Sequence, residues 1–317
     1  MRIAINLQPP ISNPVPIAWT IAGSDSGGGA GIQADLKVMN AFGVHGCSAI
    51  TAITAQNTLG VQSLEPVSPT MLRAQLQALE DDLFPSAIKT GMLGNAESCE
   101  IIADFLERYG MRDAGCGKGS SGSTVKPLLV CDPILKSTSG SNLLDPEARD
   151  ILIQGVFPNV DVLTPNLPEV KTLVGQGFQT VEAAAERVLE MGVGSVLIKG
   201  GHAEGGECRD YWTDGRQSMW LSSPRIETAA THGTGCILSS AIASAIALGQ
   251  EIPKAIVIAK TFLNQCLKTP ANLGAGHGPM MIEPFRDDPQ DRPDVVVGGG
   301  GDLSIIRKFS THHFNPT

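Results

Sequence analysis

The feature that most constrains the fold is a regular alternation of short apolar runs with amphipathic segments, which begins at Ile17. Short buried strands separated by amphipathic helices are typical of a mainly parallel sheet covered by helices. The runs that predict strands are Ile17–Ala22, Cys47–Thr51, Ala87–Thr90, Leu128–Cys131, Val160–Thr164 and Ser195–Lys199. We therefore expect an α/β fold.

The pattern changes after Lys199. The segment Cys208–Leu221 has aromatic and apolar residues on either side of Asp214-Gly215, which predicts a β-hairpin. Apolar residues at helical spacing then predict two helices, at about Gly235–Leu248 and Pro253–Leu267. The chain thus adds a hairpin and two helices to the alternating part.

Three segments fall outside this organisation. Residues 1–15 form a proline-containing extension, and residues 115–126 form a Gly/Ser-rich insertion with the composition of a flexible loop. From residue 285 to 317 the chain has no periodic apolar face, which predicts a tail. We therefore expect one domain at residues 16–284, flanked by these extensions.

Composition excludes several classes of partner. The formal net charge of −9 argues against nucleic-acid and anionic-membrane binding, because both need clustered Lys and Arg. The longest nearly apolar stretch, Ile237–Leu248, is shorter than the roughly 20 residues that cross a bilayer. The seven cysteines include no C-x-x-C pair, so we expect reduced thiols in a cytoplasmic protein.

The first glycine motif, Gly23–Gly31, follows the first strand and opens a helix. Such a loop exposes backbone N–H groups and permits a close approach by a ligand. Its match to the dinucleotide fingerprint has no acidic residue about 20 positions later, since none lies between Asp35 and Glu65. There is no Gly-Lys-Ser/Thr, so this is not a P-loop. Alone, the motif fits a structural turn as well as a ligand site.

The second glycine motif, Thr231–Cys236, opens a helix of small residues. Backbone amides and the helix dipole at this position predict an anion hole suited to phosphate oxygens. The same field would lower the pKa of the Cys236 thiol. The alternative is an ordinary helix start with a buried cysteine.

Polar residues stand at the ends of three predicted strands. They are Asp132, Asn166 with Glu169 one helical turn later, and Lys199 in Lys-Gly-Gly-His. Ligands of open α/β sheets bind at the carboxyl ends of the strands, so these groups should meet in one crevice. Carboxylate and amide oxygens beside a triphosphate suit Mg²⁺, and a lysine suits phosphate.

These motifs, in this order and spacing, resemble the hydroxymethylpyrimidine/phosphomethylpyrimidine kinases over about residues 17–282. The segments that carry the resemblance are GSDSGGGAGIQAD (23–35), TAITAQNT (51–58), IKTGML (88–93), DPILKSTSG (132–140), TPNLPE (164–169), IKGGH (198–202) and THGTGC (231–236). The resemblance implies a ribokinase-like three-layer α/β/α sandwich with a mainly parallel central sheet. It also implies two ATP-dependent steps, from 4-amino-5-hydroxymethyl-2-methylpyrimidine to its monophosphate and then to its diphosphate, in thiamin biosynthesis.

The resemblance also implies roles for single residues. The pyrimidine pocket would contain Gly23, Asp35, Gln56 and Met92. Asp35 and Gln56 can bond the ring nitrogens and the amino group, while Met92 packs on the ring.

The phosphate end is implied in the same way. Lys199 and Thr234 would hold ATP phosphates; Asp132, Asn166 and Glu169 would act through Mg²⁺ and its waters, with Asp132 and Glu169 as the metal-binding carboxylates. Gly233, Gly235 and Cys236 would form the anion hole, and Cys236 would assist the attacking hydroxyl, with a purely steric role as the alternative.

Competing interpretations differ in substrate or in class. A pyridoxine/pyridoxal kinase shares the glycine loop and the GTGC end, whereas Gln56-Asn57 favours the aminopyrimidine. A non-catalytic pyrimidine-binding module would be expected to have lost Lys199 or Glu169, and the chain keeps both. A NAD-dependent dehydrogenase is a further alternative, but this chain lacks the acidic residue that would bind the ribose of NAD. We expect ATP and Mg²⁺ as cofactors, a small pyrimidine as substrate and a homodimer.

Overall fold

A computed structural model of the protein describes residues 15–111, 126–135, 146–201, 206–299 and 302–306. Residues 1–14 of the predicted N-terminal extension, residues 115–125 of the predicted insertion, and His202 lie outside the described residues. The statements below concern the described part of the chain.

One sheet runs through the described part and contains eleven strands in the order β11-β10-β9-β8-β7-β6-β5-β4-β1-β2-β3. Its strands are β1 (Ile17–Asp25), β2 (His45–Asn57), β3 (Gly60–Pro66), β4 (Ala87–Thr90), β5 (Leu128–Cys131), β6 (Val162–Leu163), β7 (Val196–Ile198), β8 (Glu207–Thr213), β9 (Ser218–Pro224), β10 (Asp294–Gly299) and β11 (Asp302–Ile306). The block from β2 through β1, β4, β5 and β6 to β7 is parallel, and the remaining strands pair antiparallel. Each strand predicted from the sequence is present, and the predicted hairpin is β8–β9.

Helices cover both faces of the sheet. They are α1 (Gly31–Ala41), α2 (Pro69–Asp82), α3 (Ala96–Met111), α4 (Pro146–Ile151), α5 (Leu167–Val174), α6 (Val181–Leu189), α7 (Thr234–Ala247) and α8 (Ile252–Leu267). Residues of α1, α7 and α8 form one buried apolar cluster with the sheet, and residues of α2 to α6 form the other. The predicted three-layer α/β/α sandwich with a mainly parallel sheet is confirmed.

Strand β1 shows why the central runs are continuously apolar. Ala18 faces the cluster of α1, α7 and α8, whereas Trp19 and Ile21 face the opposite cluster. A parallel strand in a doubly covered sheet is buried on both faces, so it cannot alternate apolar with polar residues. Helix α7 is likewise buried along almost its whole length, as expected for a helix that is apolar all round.

The edges of the sheet differ from the expectation. Strand β3 is mostly polar and partly exposed, so it shows no apolar run in the sequence. The tail predicted beyond residue 284 is wrong for the part described, because Phe285 stacks on Phe42 with ring centroids 5.2 Å apart and β10 pairs with β9. Val295 of β10 is only 2 % exposed and joins the cluster of α7 and α8. A single edge strand buries too few side chains to produce a long periodic pattern.

Among the described residues, no helix is both long enough and apolar enough to cross a membrane.

Candidate active site

A cavity of about 710 Å³ opens at the carboxyl ends of the parallel strands. Its walls come from the loops that follow β1, β5, β6 and β7, from the hairpin β8–β9, and from the starts and flanks of α7 and α8. The sequence-predicted residues that line it are Gly23, Gln56, Met92, Asp132, Asn166, Glu169, Lys199, Gly233, Thr234, Gly235 and Cys236. The strand-end groups thus meet in one crevice, as predicted; Asp35 is the exception.

The glycine loop after β1 is wrapped around the carboxylate of Asp25. Oδ1 of Asp25 accepts the N–H of Gly27 at 2.8 Å, and Oδ2 accepts the N–H groups of Gly29 and Ala30 at 3.0 and 2.9 Å. The Gly28 N–H donates to the Asp25 carbonyl. These amides are therefore occupied within the protein, and the loop shapes the cavity wall instead of offering donors to an anion.

The second glycine motif provides the free donors. Within the part of the chain described, the N–H groups of Gly235 and Cys236 in the first turn of α7 have no hydrogen-bond acceptor, as is usual for the first N–H groups of a helix. Gly233 has a φ of +81°, and a Cβ there would lie 2.0 Å from the Gly29 carbonyl oxygen. Only glycine lets the two loops approach this closely.

Lys199 and Asp132 form an ion pair beside this helix start. Lys199 Nζ lies 2.8 Å from Asp132 Oδ1. Burial lowers the pKa of Lys199, but the carboxylates of Asp132 and Glu169 outweigh burial, so the pKa is raised and the lysine is charged. A Cβ on Gly235 would lie 2.7 Å from Asp132 Oδ2 and 3.2 Å from Lys199 Nζ. The anion hole and the ion pair therefore share one small volume.

Asn166 and Glu169 cap α5 reciprocally. Glu169 Oε2 accepts the Asn166 N–H at 2.7 Å, and Asn166 Oδ1 accepts the Glu169 N–H at 2.9 Å, which is a capping box. Burial raises the pKa of Glu169 to about 7; the Lys199 charge opposes this rise, and the Asp132 charge adds to it. Glu169 thus titrates near neutrality.

The donor set can be tested for a divalent cation. Asp132 Oδ2 and Glu169 Oε1 have no hydrogen-bond partner among the described residues, and the Asp132 charge helps to raise the pKa of Glu169. No cluster of three or more His, Cys, Asp or Glu placed to hold a metal occurs in the described ranges. Two carboxylates fit Mg²⁺, which keeps several waters and takes further oxygens from a bound phosphate.

Gly23, Met92 and Gln56 line the other end of the cavity. A Cβ on Gly23 would lie 2.2 Å from Met92 Cε, so a larger residue there would displace the end of the methionine side chain. Thr51 Oγ1 donates to the Met92 carbonyl at 2.6 Å and fixes its backbone. Gln56 is held through its backbone by Ser26 Oγ, which donates to its carbonyl at 2.7 Å and accepts its N–H at 2.9 Å.

Asp35 differs from the expectation. Its side chain is fully buried, and its carboxylate accepts from Thr20 Oγ1 at 2.6 Å, Lys89 Nζ at 2.7 Å and Ser240 Oγ at 2.6 Å. A carboxylate so surrounded has no need of a ligand donor. The direct contact with a pyrimidine expected of Asp35 is therefore wrong for this geometry: Asp35 joins α1, β1, β4 and α7 beneath the cavity.

Cys236 also differs from the expectation. The helix start was expected to lower the pKa of its thiol, but burial raises that pKa to about 12, although the Lys89 charge and a hydrogen bond from Gly31 oppose the rise. The side chain is 5 % exposed. In the ligand-free protein the thiol is therefore protonated at neutral pH.

Three functional groups were missed by the sequence analysis: Asp25, Lys89 and His232. All three line the cavity. The signal for Lys89 is a charged residue inside the otherwise apolar run of β4, which must be paired if the strand is buried. Asp25 and His232 lie within the two glycine motifs, and nothing in either motif indicates that these two side chains meet.

A second buried ion pair supports Lys199 from behind. Lys260 Nζ lies 2.6 Å from Asp210 Oδ2, and the other oxygen of Asp210 accepts the N–H of Gly200 at 2.9 Å. A Cβ on Gly200 would lie 1.8 Å from the Arg209 carbonyl oxygen. The residue after Lys199 is therefore clamped between β8 and α8.

Comparison with known proteins shows the family of the chain. The family described as Phosphomethylpyrimidine kinase matches residues 25–281. A hydroxymethylpyrimidine/phosphomethylpyrimidine kinase of Rhizobium meliloti is 43 % identical over 270 residues, which cover 83 % of this chain and 96 % of the relative.

Solved structures give the same fold. A phosphomethylpyrimidine kinase of Clostridium difficile has a TM-score of 0.65 and 37 % identity, covering 79 % of this chain and 98 % of its own. The pyridoxal kinase of Staphylococcus aureus in complex with AMP-PCP and pyridoxal has a TM-score of 0.75 and 28 % identity, covering 90 % and 99 %. The sheet, the cavity and these matches lead to one conclusion: the chain belongs to the phosphomethylpyrimidine kinase family.

Proposed function

We propose that the protein phosphorylates 4-amino-5-hydroxymethyl-2-methylpyrimidine with ATP and then phosphorylates the monophosphate to the diphosphate, in thiamin biosynthesis. The observation that carries the proposal is the meeting of the Lys199–Asp132 pair with the free N–H groups of Gly235 and Cys236 in one cavity. Gly23, Met92 and Gln56 line the same cavity.

The ring would lie between Gly23 with Met92 and the amide of Gln56, and its hydroxymethyl group would point to the first turn of α7. The ATP phosphates would meet Lys199 and Thr234, and the free amides of α7 would bind the oxygens of the transferring group. Phosphoryl transfer passes through a loose transition state, so positioning and charge stabilisation outweigh strong base catalysis. A protonated Cys236 is compatible with this.

Asp132 and Glu169 would hold Mg²⁺ through waters, and Asn166 would keep Glu169 in place through the capping box. When bound, Mg²⁺ supplies neutralisation of phosphate charge. Glu169 binds a cation only when ionised, so we expect tighter Mg²⁺ binding as pH rises through about 7.

A pyridoxal kinase is the second candidate. The observation in its favour is the likeness to the Staphylococcus aureus pyridoxal kinase, with a TM-score of 0.75 over 90 % of the chain. The pyrimidine kinase of Rhizobium meliloti is nevertheless 43 % identical against 28 % for the pyridoxal kinase. The two candidate activities would use the same phosphate-binding residues and differ in the ring of the substrate, a pyrimidine or a pyridine.

The test is a product assay with ATP and Mg²⁺ in which the pyrimidine, its monophosphate and pyridoxal are offered separately. We expect the pyrimidine to become the diphosphate with about two ATP consumed per product, as two successive transfers require. Turnover of pyridoxal alone would replace the proposal by the second candidate. A homodimer and a cytoplasmic location stay predictions; size-exclusion chromatography with light scattering tests the first.

A further inference from the structure

Asp25, His232 and Gln56 form a chain of side chains along one wall of the cavity. His232 Nε2 lies 2.9 Å from Asp25 Oδ2 and 3.2 Å from the nitrogen position of the Gln56 amide. A Cβ on Gly29 would lie 2.5 Å from His232 Cδ2, so the imidazole is packed flat on the glycine loop. The ring of His232 therefore has a fixed place between a carboxylate and an amide.

The first link decides which atom carries a hydrogen. The Asp25 carboxylate accepts three backbone N–H groups, and hydrogen bonds from His232 and Gly27 outweigh burial so that its pKa is lowered. An ionised carboxylate is only an acceptor. Nε2 of His232 must therefore carry the hydrogen and donate it to Asp25.

The second link then has a donor facing a donor. An N–H at His232 Nε2 cannot be accepted by an amide NH₂ at 3.2 Å. At the other end of the amide, the oxygen position of Gln56 lies 3.3 Å from Thr54 Oγ1, whose single hydrogen is better used at 2.8 Å on the Ser24 carbonyl. Between Gln56 and Thr54, two acceptor oxygens therefore face each other without a hydrogen between them.

One rotation removes both conflicts. The oxygen and nitrogen of a carboxamide have the same shape, so their hydrogen bonds decide which is which. With the amide turned by 180°, Gln56 Oε1 and Asp25 Oδ2 share the single hydrogen of His232 Nε2 in a three-centre bond, with Asp25 the nearer acceptor. Gln56 Nε2 then donates to Thr54 Oγ1. Ser26 holds the backbone of Gln56, and the rotation leaves the three heavy-atom positions of the amide in place.

We propose that Asp25 and His232 are positioning residues that fix the Gln56 amide with its oxygen towards His232, so that its second N–H donates into the ring end of the cavity. This inference rests on the proposed function of the cavity and adds a selection rule to it. The ligand must present an unprotonated ring nitrogen or another acceptor at this wall. A ligand with C–H or a donor there leaves a buried N–H unpaired, and such sites discriminate strongly.

Catalysis tests the selection rule. Kinase activity is compared for the aminopyrimidine and for two aminopyridine analogues, each with one ring nitrogen replaced by C–H. In the wild type we expect one analogue to lose about 10- to 100-fold in kcat/KM. In His232→Phe that analogue should come within about 3-fold of the pyrimidine, because the amide can then turn either way. The exposed His45, at the start of β2, gives the matched control His45→Phe, which should keep the wild-type ratio.

Spectroscopy tests the hydrogen positions without a variant and without turnover. Long-range ¹⁵N–¹H spectra of the full chain should show His232 with a protonated Nε2 at neutral pH. An unprotonated Nε2 would overturn the proposal even if the pyrimidine is the substrate. Equal losses for the analogue in the wild type and in folded His232→Phe would also overturn it. Absence of any pyrimidine turnover, with Nε2 protonated, would instead count against the proposed function.

Discussion

Glu169 carries two duties that conflict when no cation is present. It caps α5 through Oε2, and it is buried beside another carboxylate, Asp132. The cap needs only an acceptor at the third helical position, which a glutamine also supplies. The charge is needed only for a cation, so the two duties can be separated by mutation.

We predict that Glu169→Gln stabilises the ligand-free protein at pH 8 and changes it little at pH 5. The folded-state pKa is raised to about 7 from an ordinary 4.5, so this group's contribution to stability is complete below about pH 4.5 and is lost as pH rises to about 7. The gain at pH 8 should be about 2–3 kcal/mol, measured as the melting temperature without ATP or Mg²⁺. Glu186→Gln, on an exposed site of α6, is the control. An equal gain at both pH values would contradict the raised pKa.

Cys236 yields a prediction on rate. If its thiolate assists the attacking hydroxyl, the wild-type single-turnover rate should keep rising above pH 9, because burial raises the thiol pKa to about 12. Cys236→Ser should be about 10²–10⁴-fold slower and lack this alkaline rise, with affinities nearly unchanged. Parallel pH profiles for the two proteins would leave Cys236 a packing role.

The sequence pattern predicts which residues lie near the cavity, but it does not predict how deeply each side chain is buried. Lys199 and Asp132 follow strands, and the carboxyl ends of parallel strands meet at one edge whatever the details. Asp35 lies on a helix, where depth depends on what α7 and β4 bring against it. The pKa of Cys236 was misjudged for the same reason, because a helix dipole can be read from a sequence and burial cannot.

At the scale of elements, the two glycine motifs look alike in the sequence and act differently. The loop after β1 closes on Asp25, whereas the turn before α7 leaves its amides free. No local pattern distinguishes them, because the distinction depends on which acceptor the fold supplies. The strands and the hairpin β8–β9 could be predicted, since their signal is local; the polar edge strand β3 could not.

The start of α7 gives a prediction for Gly235→Ala. The new Cβ would lie 2.7 Å from Asp132 Oδ2 and must displace the Asp132–Lys199 pair. We expect kcat/KM to fall about 100-fold, because the charges that would stabilise the transferring phosphate are moved out of place, while the melting temperature changes by only a few degrees. Gly206→Ala is the control, because a Cβ there meets nothing within 4 Å. Near-normal activity of Gly235→Ala would mean that this close approach is not used in the reaction.

At the scale of the whole molecule, the sheet extends beyond the segment that the sequence indicated. Strand β10 completes the edge of β9, and Asn264 Nδ2 of α8 donates to the Asp291 carbonyl at 2.8 Å. Lys268 pairs with the Asp291 carboxylate. The segment before β10 is thus fastened to α8, a helix that also lines the cavity.

We predict that removing residues 288–317 lowers the melting temperature by 10 °C or more and weakens ATP binding. The deletion uncovers the β9 edge and the apolar cluster at Val295. Val295→Ala alone should cost about 2 kcal/mol, whereas Asp294→Asn, at an exposed site of the same strand, should be neutral. Differential scanning calorimetry measures the melting temperatures of the truncated protein and of the two single variants. An unchanged melting temperature after truncation would show that the strand adds nothing to stability.

Lys199 and Asp132 neutralise each other within the cavity, so neither buried charge is without a counter-ion. On the proposed function, an arriving phosphate would bind Lys199 in place of Asp132, and the released Asp132 carboxylate would be available to hold, through waters, the cation that accompanies the phosphate. Substrate binding is then a double exchange of counter-ions between protein and ligand. A buried charge that loses its counter-ion costs several kcal/mol. This exchange would give each charge a counter-ion both before and after the substrate binds.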